Sequence, residues 1–145
     1  MPTPRELLAA RVRAALISAE LDPVRADVTQ SADARFGDYQ ANAAMALAKE
    51  KRANPRDVAA EIISKLDVTG LSAPPEIAGA GFINFRLENS FISNALSAMA
   101  KDERLGVSRV AQPRKIVVDF SSPNVAKPMH VGHIRSTILG DCLVR

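Results

Sequence analysis

Apolar positions along the chain follow two different periods. Leu7, Leu8, Val12, Leu16 and Ile17 recur at helical spacing, which gives a first helix one buried stripe. Thr3-Pro4-Arg5-Glu6 supplies its start: Thr3 caps, Pro4 stands where a missing N–H costs nothing, and Glu6 closes a capping box. Asp22-Pro23 ends that helix, and the β-branched and polar residues from Val24 to Arg35 predict one or two short strands. Gly37-Asp38 is a turn, and the alanine-rich segment after it has high helix propensity. Asn54-Pro55-Arg56-Asp57 is a second helix start, with Val58, Ile62, Ile63 and Leu66 as the buried face; Gly70 and Pro74-Pro75 break the chain.

The period changes to two in EIAGAGFINFRL, residues 76–87. Ile83, Phe85 and Leu87 fall on one face, all apolar, so that face is the core. Phe82, Asn84 and Arg86 fall on the other. A ring, an amide and a guanidinium there are either an open platform for an unstacked RNA base or part of a second layer covered by a helix. A helix over about 89–104 places Phe91, Ile92, Ala95, Leu96 and Met99 on one side, and Gly106 ends it. Residues 107–115 read as a linker. Ile116-Val117-Val118-Asp119-Phe120 has the character of a buried parallel strand, and Ile134, Ile138, Leu139 and Leu143 give the last segment helical spacing. The chain is therefore expected to divide into residues 1–110, an α+β domain, and residues 111–145, a strand–loop–helix unit.

Composition narrows the class. Hydrophobic residues at 47% and charged residues at 24% suit a packed core, and aromatics at 4% with no Trp make that core aliphatic. A net charge of +3 is compatible with a nucleic-acid partner without arguing for one. The single cysteine, Cys142, excludes an internal disulfide and suits a reducing compartment. No apolar run approaches the roughly 18–20 residues of a membrane span, and the charges scattered through the N-terminus do not form a secretory signal. A cytoplasmic protein without membrane contact is expected.

The chemistry concentrates after the last strand. A strand entering a loop and then a helix N-terminus presents free N–H groups and a positive dipole end to a phosphate. His130 and His133 stand three apart at that start, Gly132 leaves the backbone open between them, and Lys127 and Arg135 add charge. Two plainer readings remain at this stage: a zinc pair, for which Asp119 and Asp141 are the only further ligands nearby, and histidines that simply cap the helix. No P-loop string occurs, and Gly79-Ala80-Gly81 lacks a third glycine and precedes a strand, so it is not a dinucleotide fingerprint.

DFSSPNVAKPMHVGHIRSTILGD, residues 119–141, resembles the HIGH-motif region of class I aminoacyl-tRNA synthetases, specifically the arginyl-tRNA synthetases. FGDYQANAAMALAK, NPRDVA and EIAGAGFINFRL extend the resemblance over most of the chain. It implies a small antiparallel sheet with helices for residues 1–110, a module that binds the D-loop corner of tRNA. Residues 111–145 would then be the first strand–loop–helix of a class I Rossmann-type catalytic domain, incomplete here. By the same resemblance His130, Gly132, His133 and Lys127 contact ATP, delivered as its Mg complex, with both histidines and Lys127 stabilising adenylation. Ser122 and Asn124 match positions that hold L-arginine; Phe82 and Asn84 match tRNA contacts, with Arg86, Tyr39 and Gln40 as further candidates. Gly79, near one contact position, has no side chain to read a base. No protein-bound metal is implied, and the full enzyme is expected to be a monomer. No KMSKS-like string is present. The implied activity is therefore that of an arginine–tRNA ligase, of which this chain is an N-terminal part not expected to act alone; the alternative is a stand-alone tRNA-elbow-binding module.

Overall fold

The protein is described by a computed structural model covering residues 1–122 and 124–145. It divides into two compact units, residues 1–108 and 109–145.

The first unit begins with α1, Pro4–Ser18, and the capping box forms as its sequence dictates. The Thr3 N–H donates to Glu6 Oε2 at 2.7 Å while the Glu6 N–H donates to Thr3 Oγ1 at 3.3 Å. β1, Val28–Gln30, follows, then a single helical turn at Ala34–Phe36, then β2, Tyr39–Ala41. The alanine-rich helix, α2, starts only at Ala43 and ends at Lys51, because residues 39–41 are drawn into the sheet between two partners. Asn54 caps α3, Pro55–Ser64, by accepting from the Arg56 N–H at 3.0 Å. β3, Glu76–Ala78, and β4, Phe82–Phe85, complete a four-stranded antiparallel sheet in the order β1-β2-β4-β3. α4 spans Asn89–Lys101.

One sheet face, with Val28, Ala41, Ile83 and Phe85, packs on Leu8, Val12, Leu16, Leu47, Val58 and Ile62 from α1, α2 and α3. Ile17 and helix α4 depart from the periodic reading. Ile17 is 60% exposed, since it follows Leu16 by about 100° around the helix and so turns off the buried stripe. α4 carries no buried residue: Phe91 leans on the core, while Ile92, Leu96 and Met99 stay accessible.

In the second unit α5, Val131–Val144, forms, but the apolar run at residues 116–120 makes no strand. Alternating β-branched residues are not sufficient; a strand's N–H and C=O groups need neighbouring strands. Phe120 instead lies against α5 at Gly140, where any Cβ would overlap its ring. Gly140 is the only buried residue among those described in this unit.

Candidate nucleic-acid interface and nucleotide site

The antiparallel register sets the polar face of the first unit. Thr29, Gln40, Asn84 and Glu76 are successive cross-strand partners, so they form one row across the sheet. Phe82 lies two residues from Asn84 on the same face, opposite Ala78. Over this row opens a cavity of about 310 Å³ lined by residues of β2, β4, the 31–36 segment and the β3–β4 turn, among them Gln40, Phe82 and Asn84. Asn84 is 7% exposed, and its Oδ1 has no hydrogen-bond partner among the described residues. A buried amide oxygen left unpaired costs about 1–3 kcal/mol, so the Asn84 amide would gain from a donor that a turn of its side chain brings within reach.

Among the described residues this cavity is lined by the strands, the β3–β4 turn and the 31–36 segment and by none of α1 to α4. Its walls are tied down. The 34–36 turn is capped by Asp33, which accepts from the Arg35 N–H at 2.9 Å, and Arg35 also grips the Asp33 carboxylate at 2.7 and 2.9 Å. The guanidinium of Arg35 holds that carboxyl below the usual carboxylate range. Arg56 donates to the Gly79 carbonyl at 2.9 Å and fixes the β3–β4 turn. Arg86 lies just beyond the strand and reaches the Ala34 and Arg35 carbonyls at 3.4 Å, outside the cavity lining. Tyr39 is not brought to this site. It pairs with Phe85, so the two-residue period turns it toward the core, where it packs partly buried.

The second unit builds a different site. His130 is the N-cap of α5, and its Nδ1 accepts from the Gly132 N–H at 3.1 Å. The His133 Nδ1 accepts from the His130 N–H at 3.1 Å, which completes a histidine capping box. The rings lie 4.1 Å apart, tilted by 49°. Because each Nδ1 accepts, the neutral imidazoles carry their proton on Nε2, leaving a donor on each ring. A Cβ on Gly132 would stand 3.0 Å from His130 Cε1, so the His130 ring would have to shift slightly to admit it. Upstream, Ser122 donates to Asp119 at 2.9 Å, and Asn124 Oδ1 accepts from the Ala126 N–H at 2.9 Å, shaping the loop that carries an exposed Lys127. Among the described residues no group of three His, Cys, Asp or Glu side chains is placed to hold a metal ion.

Residues 6–87 match the family model of the arginyl-tRNA synthetase N-terminal domain, and residues 93–145 match that of the class I (R) tRNA synthetase catalytic domain. The chain belongs to the arginyl-tRNA synthetase family. It is 58% identical over 118 residues to the arginine–tRNA ligase of Rhodopirellula baltica, covering 81% of this chain and 18% of that protein. Against the arginine–tRNA ligase of Thermosynechococcus vestitus it is 46% identical over 147 residues, covering 100% of this chain and 25% of that protein. The crystal structure of arginyl-tRNA synthetase from Plasmodium falciparum superposes on 96% of the chain and 27% of its own, with a TM-score of 0.73 and 28% identity. The chain thus spans at most about a quarter of the length of these curated relatives.

Within this arginyl-tRNA synthetase frame, the sequence left several lining residues unnoticed. Ser31, Asp33, Phe36 and Ala78 line the cavity, and Arg56 braces it. Only Phe36 carried a usable signal, an aromatic beside the Gly37-Asp38 turn with no periodic place in a core. No helix among the described residues is long and apolar enough to cross a membrane.

Proposed function

We propose that this chain carries the tRNA-elbow-binding domain and the motif-bearing start of the catalytic domain of a cytoplasmic, monomeric arginine–tRNA ligase. The reaction joins L-arginine to ATP as arginyl-adenylate with release of pyrophosphate, and the arginyl group then passes to the 3′ end of its tRNA. The observation that carries the reading is Asn84: a buried Oδ1 without a partner, at the wall of an open cavity that also holds Phe82. An unstacked D-loop base stacks on Phe82 and offers a donor to Asn84, with the Gln40 amide beside it; Arg86 supplies charge to the backbone at the rim.

In the second unit the Nε2–H groups of His130 and His133 and the start of α5 face the ATP phosphates, which arrive with their own Mg ion. These donors neutralise charge that grows as pyrophosphate departs. Lys127 adds a mobile cation, and Ser122 and Asn124 orient the arginine. A second reading, a tRNA-binding module that does no chemistry by itself, is favoured by residues 116–120, whose backbone lacks the sheet a nucleotide fold requires.

The test is binding of this chain to an arginine tRNA transcript and to an unrelated tRNA at two salt concentrations, beside a Phe82→Ala, Asn84→Ala variant. Preferential binding that the variant loses is the expected result. Binding indifferent to tRNA identity and to the variant overturns the elbow reading. Arginine-dependent ATP–pyrophosphate exchange by the chain alone would exclude the module reading.

A further inference from the structure

We propose that Phe36 is a second stacking platform, which together with Phe82 clamps one unstacked base from two sides while Asn84 meets its edge. The inference rests on the reading of this cavity as a base site and extends it to a residue outside the sheet. Phe36 and Phe82 both line the 310 Å³ cavity, which is at the small end for ligand sites and suits a single ring system. Phe36 takes no part in the core and is 49% exposed.

An exposed phenylalanine is unremarkable on a loose loop, but this turn is fixed. The Phe36 N–H donates to the Asp33 carbonyl at 3.0 Å, Asp33 caps the turn, and Arg86 reaches the Ala34 and Arg35 carbonyls behind it. Arg35, itself gripped by Asp33, lies over the ring with its guanidinium carbon 5.9 Å from the centroid. A cation over one ring face leaves the opposite face for a base. A ring held in water on a braced turn is preorganised, so little entropy is lost when a base slides in. The occupant is a nucleobase rather than an apolar peptide side chain, because the amide residues Asn84 and Gln40 line the same wall and the Asn84 Oδ1 has no partner among the described residues, a need an aliphatic group would leave unmet.

The experiment measures binding of an arginine tRNA transcript by this chain and by Phe36→Ala, Phe36→Leu and Phe36→Trp, with Phe82→Ala and Asn84→Ala alongside, at two salt concentrations. Phe36→Ala and Phe36→Leu are expected to weaken binding roughly 5- to 100-fold, with an unchanged salt slope and an unchanged thermal midpoint. Phe36→Trp is expected to bind within about threefold of the parent. Since the chain has no other Trp, its indole fluorescence should be quenched as tRNA binds. Full affinity in Phe36→Leu would mean a plain apolar contact and overturn the clamp, as would indole emission indifferent to bound tRNA. If Phe82→Ala and Asn84→Ala weaken binding and the Phe36 variants do not, the clamp alone falls. If none of them changes binding, the base-site reading falls and takes the clamp with it.

Discussion

The two units of this chain reach their sites by opposite routes. In residues 1–108 the base cavity depends on long-range order: β4 must pair with β2 and β3 before Gln40, Asn84 and Phe82 share a face, and the core from Leu8 to Phe85 holds that register. In residues 109–145 the histidine site is local. His130, Gly132 and His133 complete their capping box within one helical turn, although Ile116, Val117, Ile134, Ile138 and Leu143 are all more than half exposed. A motif whose hydrogen bonds close over three residues needs no core behind it, whereas a cavity assembled across strands does. The first site is therefore as stable as its fold, and the second is geometrically formed but thermodynamically unsupported.

Removing a core side chain from each unit strains the contrast hardest. Phe85 is fully buried, and Phe85→Ala is expected to cost about 3–5 kcal/mol in urea unfolding followed by far-UV circular dichroism. Phe120→Ala, which removes the ring against Gly140, should move the same transition by less than about 0.5 kcal/mol. A comparable shift from Phe120→Ala would mean that the second unit shares the cooperative fold, and the contrast would collapse. A smaller effect comes from two glycines. Gly37 has φ +95°, and a Cβ there would meet the Phe85 carbonyl oxygen at 2.5 Å, so Gly37→Ala should cost about 1–3 kcal/mol. Gly132→Ala meets only the movable His130 ring. It should leave the unfolding midpoint in place while shifting the NMR signals of both imidazoles.

How much could be read from the sequence follows the same division. Helix starts at Thr3 and Asn54 were legible because a cap is decided by three or four neighbouring residues. The faces of β4 were legible from their period, which placed Ile83 and Phe85 in the core and Asn84 opposite. What escaped was everything that depends on a partner. Residues 39–41 read as a turn ahead of a helix until β1 and β4 flank them, and residues 116–120 read as a strand although no strand flanks them among the described residues. Tyr39 and Gln40 looked equivalent in one turn, and only the register sends one to the core and the other to the cavity. Phe36 offered only its place beside the Gly37-Asp38 turn, and Arg56 had no pattern to betray it, because its role rests on a hydrogen bond to the distant Gly79 carbonyl.

The smallest expected effect is acid sensitivity, and it too sorts by unit. Glu6 is held below its ordinary 4.5 mainly by the Thr3 N–H, Asp67 below 3.8 mainly by the Thr69 N–H, and Asp102 below 3.8 mainly by the Arg104 N–H. Asp33 is lowered first of all by the Arg35 side chain. All four lie in residues 1–108. Each binds its proton less readily folded than unfolded, so its contribution is fully present above the unfolded value and is lost as pH falls through the lower folded one. The urea midpoint should therefore hold from pH 7 to about 5 and decline gently toward about 3. The groups are solvent-exposed, so the decline is modest. Thr3→Ala removes the hydroxyl that accepts from the Glu6 N–H and donates to the Glu6 carboxylate, and so should flatten part of it. Added salt should flatten the share due to Arg35 and leave the backbone-bonded share largely intact. A decline abolished by salt alone would show that long-range charge, not local capping, sets the acid limit of the first unit.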